Sequence, residues 1–304
     1  MGSRGSNHAR LARLRARCLA CACCLAVLVV PGAAHGAAYR DDLGRVVNVA
    51  QSPRRLITVL PSLTEIVCAL DECSRLVGTD SYSNWPASVR TLPKVGGLDD
   101  ASIEGIAALH PDLVLLSAAE RTVERLEALG IRTFVIETQT FGDVTRNVER
   151  IAALLGVPGK GAALRQKIEA DVRSTVAAQK AVRGGPAPRV YFEIDSTPYA
   201  AGPDSFIGEL LDRLGATNIV SRDLGPFPKL NPEYIVRQNP DVMMVLPSEI
   251  ARIADRPGWR TIRAVREHRV CVFSVADRDV VTRPGPRLAD ALQILGDCLR
   301  RVAP

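Results

Sequence analysis

The sequence predicts an α/β fold of two Rossmann-like lobes with parallel sheets, joined by one long rigid α-helix. Three observations predict it. First, a helix–stop–strand unit occurs twice. Ser102 to Leu116 carries Glu104, Ile106 and Pro111-Asp112 ahead of the apolar run Leu113 to Leu116. Asn231 to Val245 repeats the spacing with Glu233, Ile235, Pro240-Asp241 and Val242-Met243-Met244-Val245. A carboxylate suits the first turn of a helix, Pro stops that helix, and the apolar run reads as a buried strand. Second, strand-like runs alternate with helical patterns over short connections on both sides of these units, the signature of small parallel sheets covered by helices. Third, Lys160 to Val182 runs without Pro and with one early glycine, Gly161. About 23 helical residues span ~35 Å, the length of a lobe.

In chain order the first 36 residues stand apart. Five arginines, Arg4, Arg10, Arg13, Arg15 and Arg17, precede the apolar run Cys18 to Val30 and the small residues up to Gly36. This is the pattern of a secretory signal with cleavage after Gly36. The apolar run of about 13 residues is shorter than the ~20 a membrane span needs. A lipoprotein signal is the alternative, but Cys18, Cys21, Cys23 and Cys24 lie at the start of the run rather than after it. Removing the five arginines from the formal charge of +6 leaves about +1. Charge therefore gives no support to nucleic-acid binding.

Residues 37–141 form the expected N-terminal lobe. Residues 39–50 alternate around an Asp-Leu-Gly turn and read as an edge hairpin. Arg55 to Leu60 is a strand. Pro61 opens a helix to about Leu70, with Ser62 as N-cap and Glu65 closing a capping box. Leu76 to Gly78 is a strand, followed by the aromatic-bearing loop Asp80 to Pro86. After the first repeat, Thr122 to Leu129 is a helix and Arg132 to Ile136 a strand. Residues 142–185 form the connecting segment, with Gly142 to Leu155 helical and Gly156 to Gly159 as a break.

Residues 186–304 form the second lobe. Arg189 to Ile194 is a strand, Asp204 to Leu214 a helix and Val242 to Leu246 a strand. Trp259 to Val265 is a helix, Arg269 to Phe273 a strand and Arg287 to Arg300 the last helix, with Asp277, Arg278, Asp279 and Arg283 in the loop before it. Four cysteines remain after residue 36, an even number that favours disulfides in an exported chain. Cys68 pairs with Cys73, which is local, and Cys271 with Cys298.

No Gly-x-Ser-x-Gly, Walker loop or His-Glu-x-x-His is present, so the chain is not expected to be an enzyme. Glu193-Ile194-Asp195 is the best candidate for paired carboxylates, and a polar strand end lining a cleft explains it better. An exported metallochaperone or zinc receptor would need several His or acidic ligands. Only His110 and His268 follow residue 36.

Signal, repeated lobes and single connecting helix together resemble the helical-backbone class of periplasmic substrate-binding proteins of ABC importers. The stretch Arg55 to Glu65 is similar to that family's opening strand and helix. Tyr82-Ser83-Asn84-Trp85-Pro86 resembles a loop of its cobalamin-binding branch, and Arg283-Pro284-Gly285-Pro286-Arg287 resembles its approach to the last helix. The resemblance implies a periplasmic monomer with no cofactor of its own, whose cargo lies between the lobes. It implies that Glu104 and Glu233 dock on arginines of an inner-membrane permease dimer, one from each lobe. The alternative is that each merely favours its helix N-terminus, worth ~0.3–1 kcal/mol.

The expected ligand contacts are Tyr82, Ser83, Asn84 and Trp85 from the first lobe. From the second they are Phe227, Asp277, Arg278, Asp279 and Arg283. Tyr82 and Trp85 would stack on a flat macrocycle. Cobalamin or a related corrinoid ranks first. Haem, with Tyr82 as an axial ligand, and an iron–siderophore held by Arg278 and Arg283 follow. The chain departs from the cobalamin branch where that branch carries further tryptophans, at Gly97, Ser117 and Phe227.

Overall fold

The computed structural model describes residues 37–49, 52–97, 99–118, 120–182, 185–195, 198–245 and 253–302. The expected signal segment lies outside them. From Gly36 on, the chain is one compact unit. It opens with an antiparallel hairpin, β1 (Ala37–Arg40) and β2 (Val46–Val49), in which Ala37 faces Val49. Asp41 closes the turn by accepting the N–H groups of Leu43 and Arg45, the local role for which short acidic side chains are favoured in turns.

The first lobe then builds β3 (Leu56–Thr58), α1 (Pro61–Ala69), β4 (Leu76–Thr79), α2 (Ile103–Ala108), β5 (Leu113–Leu116), α3 (Glu120–Ala128) and β6 (Thr133–Val135). Its sheet is all parallel in the order β4-β3-β5-β6. Every residue of β3, β5 and β6 is buried, as a parallel sheet covered on both faces requires.

The second lobe repeats the plan. It contains β7 (Arg189–Asp195), the short β8 (Tyr199–Ala200), α6 (Phe206–Arg213), β9 (Thr217–Asn218), α7 (Pro232–Gln238), β10 (Val242–Val245), α8 (Arg263–Arg266), β11 (Val270–Val272), α9 (Val275–Val281) and α10 (Leu288–Val302). β7 pairs in parallel with β9 and β10, and β10 with β11, so β9-β7-β10-β11 reproduces the order of the first sheet. The antiparallel strand β8 is an addition to this plan.

Between the sheets lie α4 (Phe141–Leu154) and the 25-residue α5 (Pro158–Val182). Thr140 and Asp143 form the capping box that starts α4. The helices turn sharply at Gly156 (φ 73°), and Gly161 lets them close up, since a Cβ there would run into Ala152. At its far end α5 meets α10 through Gln179, which bonds Asp297 and Arg300. The largest apolar cluster includes residues of both lobes and of α4, α5 and α10, so the lobes share a core as well as a connecting helix.

Four details differ from expectation. Ser62 does not cap α1: the N-cap is Leu60, Pro61 takes the first helical position, and the Glu65 side chain turns inward. Asp277, Arg278 and Asp279 are not in a loop but in α9, which Ser274 caps by accepting the Asp277 N–H. Trp259 to Val265 is not one helix: a short 3₁₀ turn, Trp259–Thr261, is separated from α8 by the extended Ile262. The expected strand Val242 to Leu246 is described to Val245. Disulfides join Cys68 to Cys73 and Cys271 to Cys298, the latter tying β11 to α10.

Candidate functional site

The strand ends and the loops that follow them leave two adjoining cavities that share Thr282. One, about 530 Å³, has first-lobe residues Pro61, Ser81, Tyr82 and Asn84 facing Arg278, Asp279 and Arg283 of the second lobe. The other, about 630 Å³, is more apolar and is lined by Ile194, Tyr199, Phe206, Ile207 and Phe227, with Asp195 at the end of β7. Together they form a cleft with aromatic rings from both lobes.

The Tyr82 loop is held from beneath by a buried polar chain. Asp80 accepts the Tyr82 N–H at 2.8 Å and also the Ser83 hydroxyl. Ser83 is linked to Thr64 and Thr64 to Thr58, each pair of hydroxyl oxygens 2.7 Å apart. Burial pushes the Asp80 carboxyl above its ordinary value, only partly offset by these bonds and by Lys94. Burial likewise lowers the Lys94 ammonium, which donates to Thr79 and to the Ser83 carbonyl. Ser83, an expected ligand contact, is thus 3% exposed and occupied in supporting the loop. Tyr82 itself is 68% exposed at the mouth of the cleft.

Across the cleft rim the lobes are fastened by a cluster of charges. Arg287 bonds both oxygens of Glu65, at 2.8 and 2.6 Å. Arg283 reaches the same carboxylate at 3.0 Å, and also donates to the Asn84 side chain at 2.9 Å and the Tyr82 carbonyl at 3.0 Å. Asn84 returns a bond to Asp279 at 2.8 Å, and Asp279 pairs with Arg278 and Arg283. Burial would raise the Asp279 carboxyl, but the bonds from Arg278 and Asn84 and the charge of Arg283 outweigh it and hold it below its ordinary value.

The expected contacts therefore separate. Tyr82, Asn84, Arg278, Asp279 and Arg283 converge on one cavity and Phe227 lines the other. Asp277 bonds Ser274 at the start of α9. Trp85, 42% exposed, lies under the Arg287 guanidinium at 4.9 Å from its ring centroid. Sequence reasoning missed Glu65 and Arg287 as partners and Tyr199 and Thr282 as cleft residues, whereas the strand end at Asp195 was expected to line a cleft and does. Arg287 lay in a noticed motif; nothing local marks Glu65, whose partners are more than 200 positions away.

Glu193 is no cleft acid. It is buried on the other face of β7, paired with Arg256 at 2.6 and 2.9 Å and accepting the Tyr191 hydroxyl. Among the described residues no three His, Cys, Asp or Glu side chains converge as a metal site.

The two repeat glutamates stand alike. Glu104 follows N-cap Ser102 in α2, and Glu233 follows N-cap Asn231 in α7. Their side chains are 84% and 81% exposed, with ion pairs only at 3.7 Å to Arg125 and 3.9 Å to Arg237. Such open pairs contribute little to stability.

Comparison with known proteins gives three kinds of finding. The family described as "Periplasmic binding protein" matches residues 56–274. An uncharacterized ABC transporter substrate-binding lipoprotein of Bacillus subtilis (strain 168) is 29% identical over 268 residues, covering 85% of this chain and 84% of that protein. A vitamin B12-binding protein of Vibrio parahaemolyticus is 25% identical, covering 81% of this chain and 89% of its own. Among solved structures, a periplasmic haem-binding protein from Pseudomonas aeruginosa superposes with a TM-score of 0.72 at 25% identity, covering 83% of this chain and 94% of that one.

Proposed function

The chain belongs to the periplasmic binding protein family, and we propose that it captures cobalamin or a related corrinoid in its cleft and delivers it to an ABC permease. As a member of that family it is a substrate-binding component of a transporter acting outside the cytoplasm, and not an enzyme. What it carries and how it docks are our reading.

The observation that carries the corrinoid reading is Tyr82: a large ring, 68% exposed, standing at the mouth of a cleft lined by residues of both lobes. An exposed ring costs apolar hydration unless something covers it, and a flat macrocycle is a partner of matching shape. The rim around it, Ser81, Asn84 and Arg278, offers the mixed donors and acceptors that amide side chains of a corrin ring need. The Vibrio relative named for vitamin B12 supports the same choice.

Haem is the second reading, and one observation favours it. Two phenols, Tyr82 at 68% and Tyr199 at 42% exposure, reach the cleft, and a tyrosine can serve as the axial ligand of haem iron. Arg278 would then meet a propionate. Incubating the purified protein with cyanocobalamin, haemin and a ferric siderophore together, then desalting and recording the absorbance that stays with the protein, separates these. A corrin spectrum supports the reading; a haem or ferric-chelate spectrum overturns it.

For docking, we assign Glu104 and Glu233 to the permease. They are carboxylates at equivalent repeat positions, both exposed and both weakly paired. Two like charges on two like lobes suit a two-fold symmetric, positively charged partner.

A further inference from the structure

We infer that Glu65 is a positioning residue for the substrate: without lining the cleft, it holds Arg283 and Arg287 in the places from which they set the Tyr82–Trp85 loop. The inference rests on the reading of the cleft as the ligand site.

The loop has two sets of anchors. From its own lobe Asp80 fixes the Tyr82 amide and the Ser83 hydroxyl. From the other lobe Arg283 holds the Tyr82 carbonyl and the Asn84 amide, and Arg287 lies over the Trp85 ring. Both arginines converge on Glu65, whose side chain is 1% exposed, while theirs are 9% and 13% exposed. The bond from Arg287 is bidentate, the geometry in which a guanidinium is best oriented.

Glu65 also balances charge. Arg278, Arg283 and Arg287 lie within one cluster, and its carboxylates are Glu65 and Asp279. Neutralising Glu65 leaves three guanidinium groups against one carboxylate, and two of them, on Arg283 and Arg287, are mostly buried, where like charges repel more strongly than in water. The arginines would then move toward water, and the loop would lose its second set of anchors. Asp80 alone would hold the amide of Tyr82 but not its carbonyl. The lobe-to-lobe contact and the placing of the Tyr82 ring are therefore one structure.

Glu65→Gln, which keeps shape and removes charge, tests this in two arms. The first uses protein without ligand. Amide hydrogen exchange over residues 82–85 should rise by roughly tenfold, a shift expected for loss of one stabilising contact, while exchange in β7 stays unchanged. The chain has two tryptophans, and Trp259 is 0% exposed, so acrylamide quenching reports Trp85 and should increase. Unchanged exchange and quenching in a folded variant would sink the inference. Should Glu65→Gln not fold, Asn84→Ala, which sits at the rim and bonds both Arg283 and Asp279, is read in the same way.

The second arm uses the ligand retained in the mixed screen. Glu65→Gln should weaken it by about tenfold, and Glu65→Gln combined with Tyr82→Ala should weaken it no more than Tyr82→Ala alone, because the glutamate acts through the ring. Strict additivity would contradict the inference. Retention of no ligand by the wild-type protein would count against the functional reading alone, since the first arm needs none.

Discussion

Asp112 and Asp241 hold the same joint in the two lobes. Asp112 accepts the Arg55 N–H at 2.9 Å just before β3, and Asp241 accepts the Arg189 N–H at 3.0 Å at the start of β7. In return the Asp112 N–H bonds the Arg55 carbonyl and the Asp241 N–H the Arg189 carbonyl, both at 2.8 Å. Each aspartate follows a proline preceded by a residue in the left-handed region, His110 (φ 45°) and Asn239 (φ 44°). The Pro-Asp signature is thus a clamp that ends a helix and registers the next strand on its neighbour.

The clamps should differ in strength. Asp241 is buried and also pairs with Arg263 at 2.6 Å, whereas Asp112 is exposed. Removing an acceptor from a buried donor costs ~1–3 kcal/mol. Asp241→Ala should lose about 2–3 kcal/mol and Asp112→Ala about 1 kcal/mol in urea denaturation. Equal losses would show that Arg263 contributes nothing.

Acid should weaken the lobe contact late. Asp279 has a folded pKa below its ordinary value, so its contribution is fully present above about pH 3.9 and is lost as pH falls through the lower folded value. The stability gap between wild type and Asp279→Asn should stay constant from pH 8 to pH 5. It should shrink below about pH 4. A gap that closes near pH 6 would contradict the assignment.

Docking should be separable from binding. Reversing both repeat glutamates, Glu104→Lys with Glu233→Lys, should abolish transport in vesicles carrying the cognate permease. Ligand affinity should not change, and stability should move by less than ~0.5 kcal/mol because both sites are open to water. Lost affinity in the double variant would show that these residues serve the cleft instead.

Tyr82→Ala should raise the ligand's Kd by roughly 10- to 30-fold, the loss of one stacked ring and its buried area. The melting temperature should barely move, since the ring is mostly exposed. Calorimetric titration beside a thermal melt reads both.

The repeat made the architecture legible. Pro111-Asp112 and Pro240-Asp241, each followed by four buried apolar residues, are local chemistry, and local chemistry is what a sequence displays. Thr217-Asn218 is only two residues long and takes its strand character from pairing with β7, so β9 had no pattern to find. Ser62 looked like a cap because Glu65 lies three residues on; Pro61 had already taken the first helical position, and Glu65 is drawn inward by Arg283 and Arg287. Ser274 with Asp277 carried the residues of a cap that the loop expectation for 277–279 passed over, and it starts the helix that places Arg278 and Asp279. Tyr82 stood out as an aromatic in a polar loop, whereas the burial of Ser83 follows from contacts with Asp80 and Thr64 that only the fold assembles.

The central claim is that the cleft beside Tyr82 holds a corrinoid. Isothermal titration of the ligand-free protein with cyanocobalamin tests it most directly. The account predicts saturable binding of one molecule per chain, with a Kd in the micromolar range or below, about −8 kcal/mol or better, weakened in Tyr82→Ala. No saturable heat with cyanocobalamin, alongside stoichiometric uptake of haemin, would contradict it.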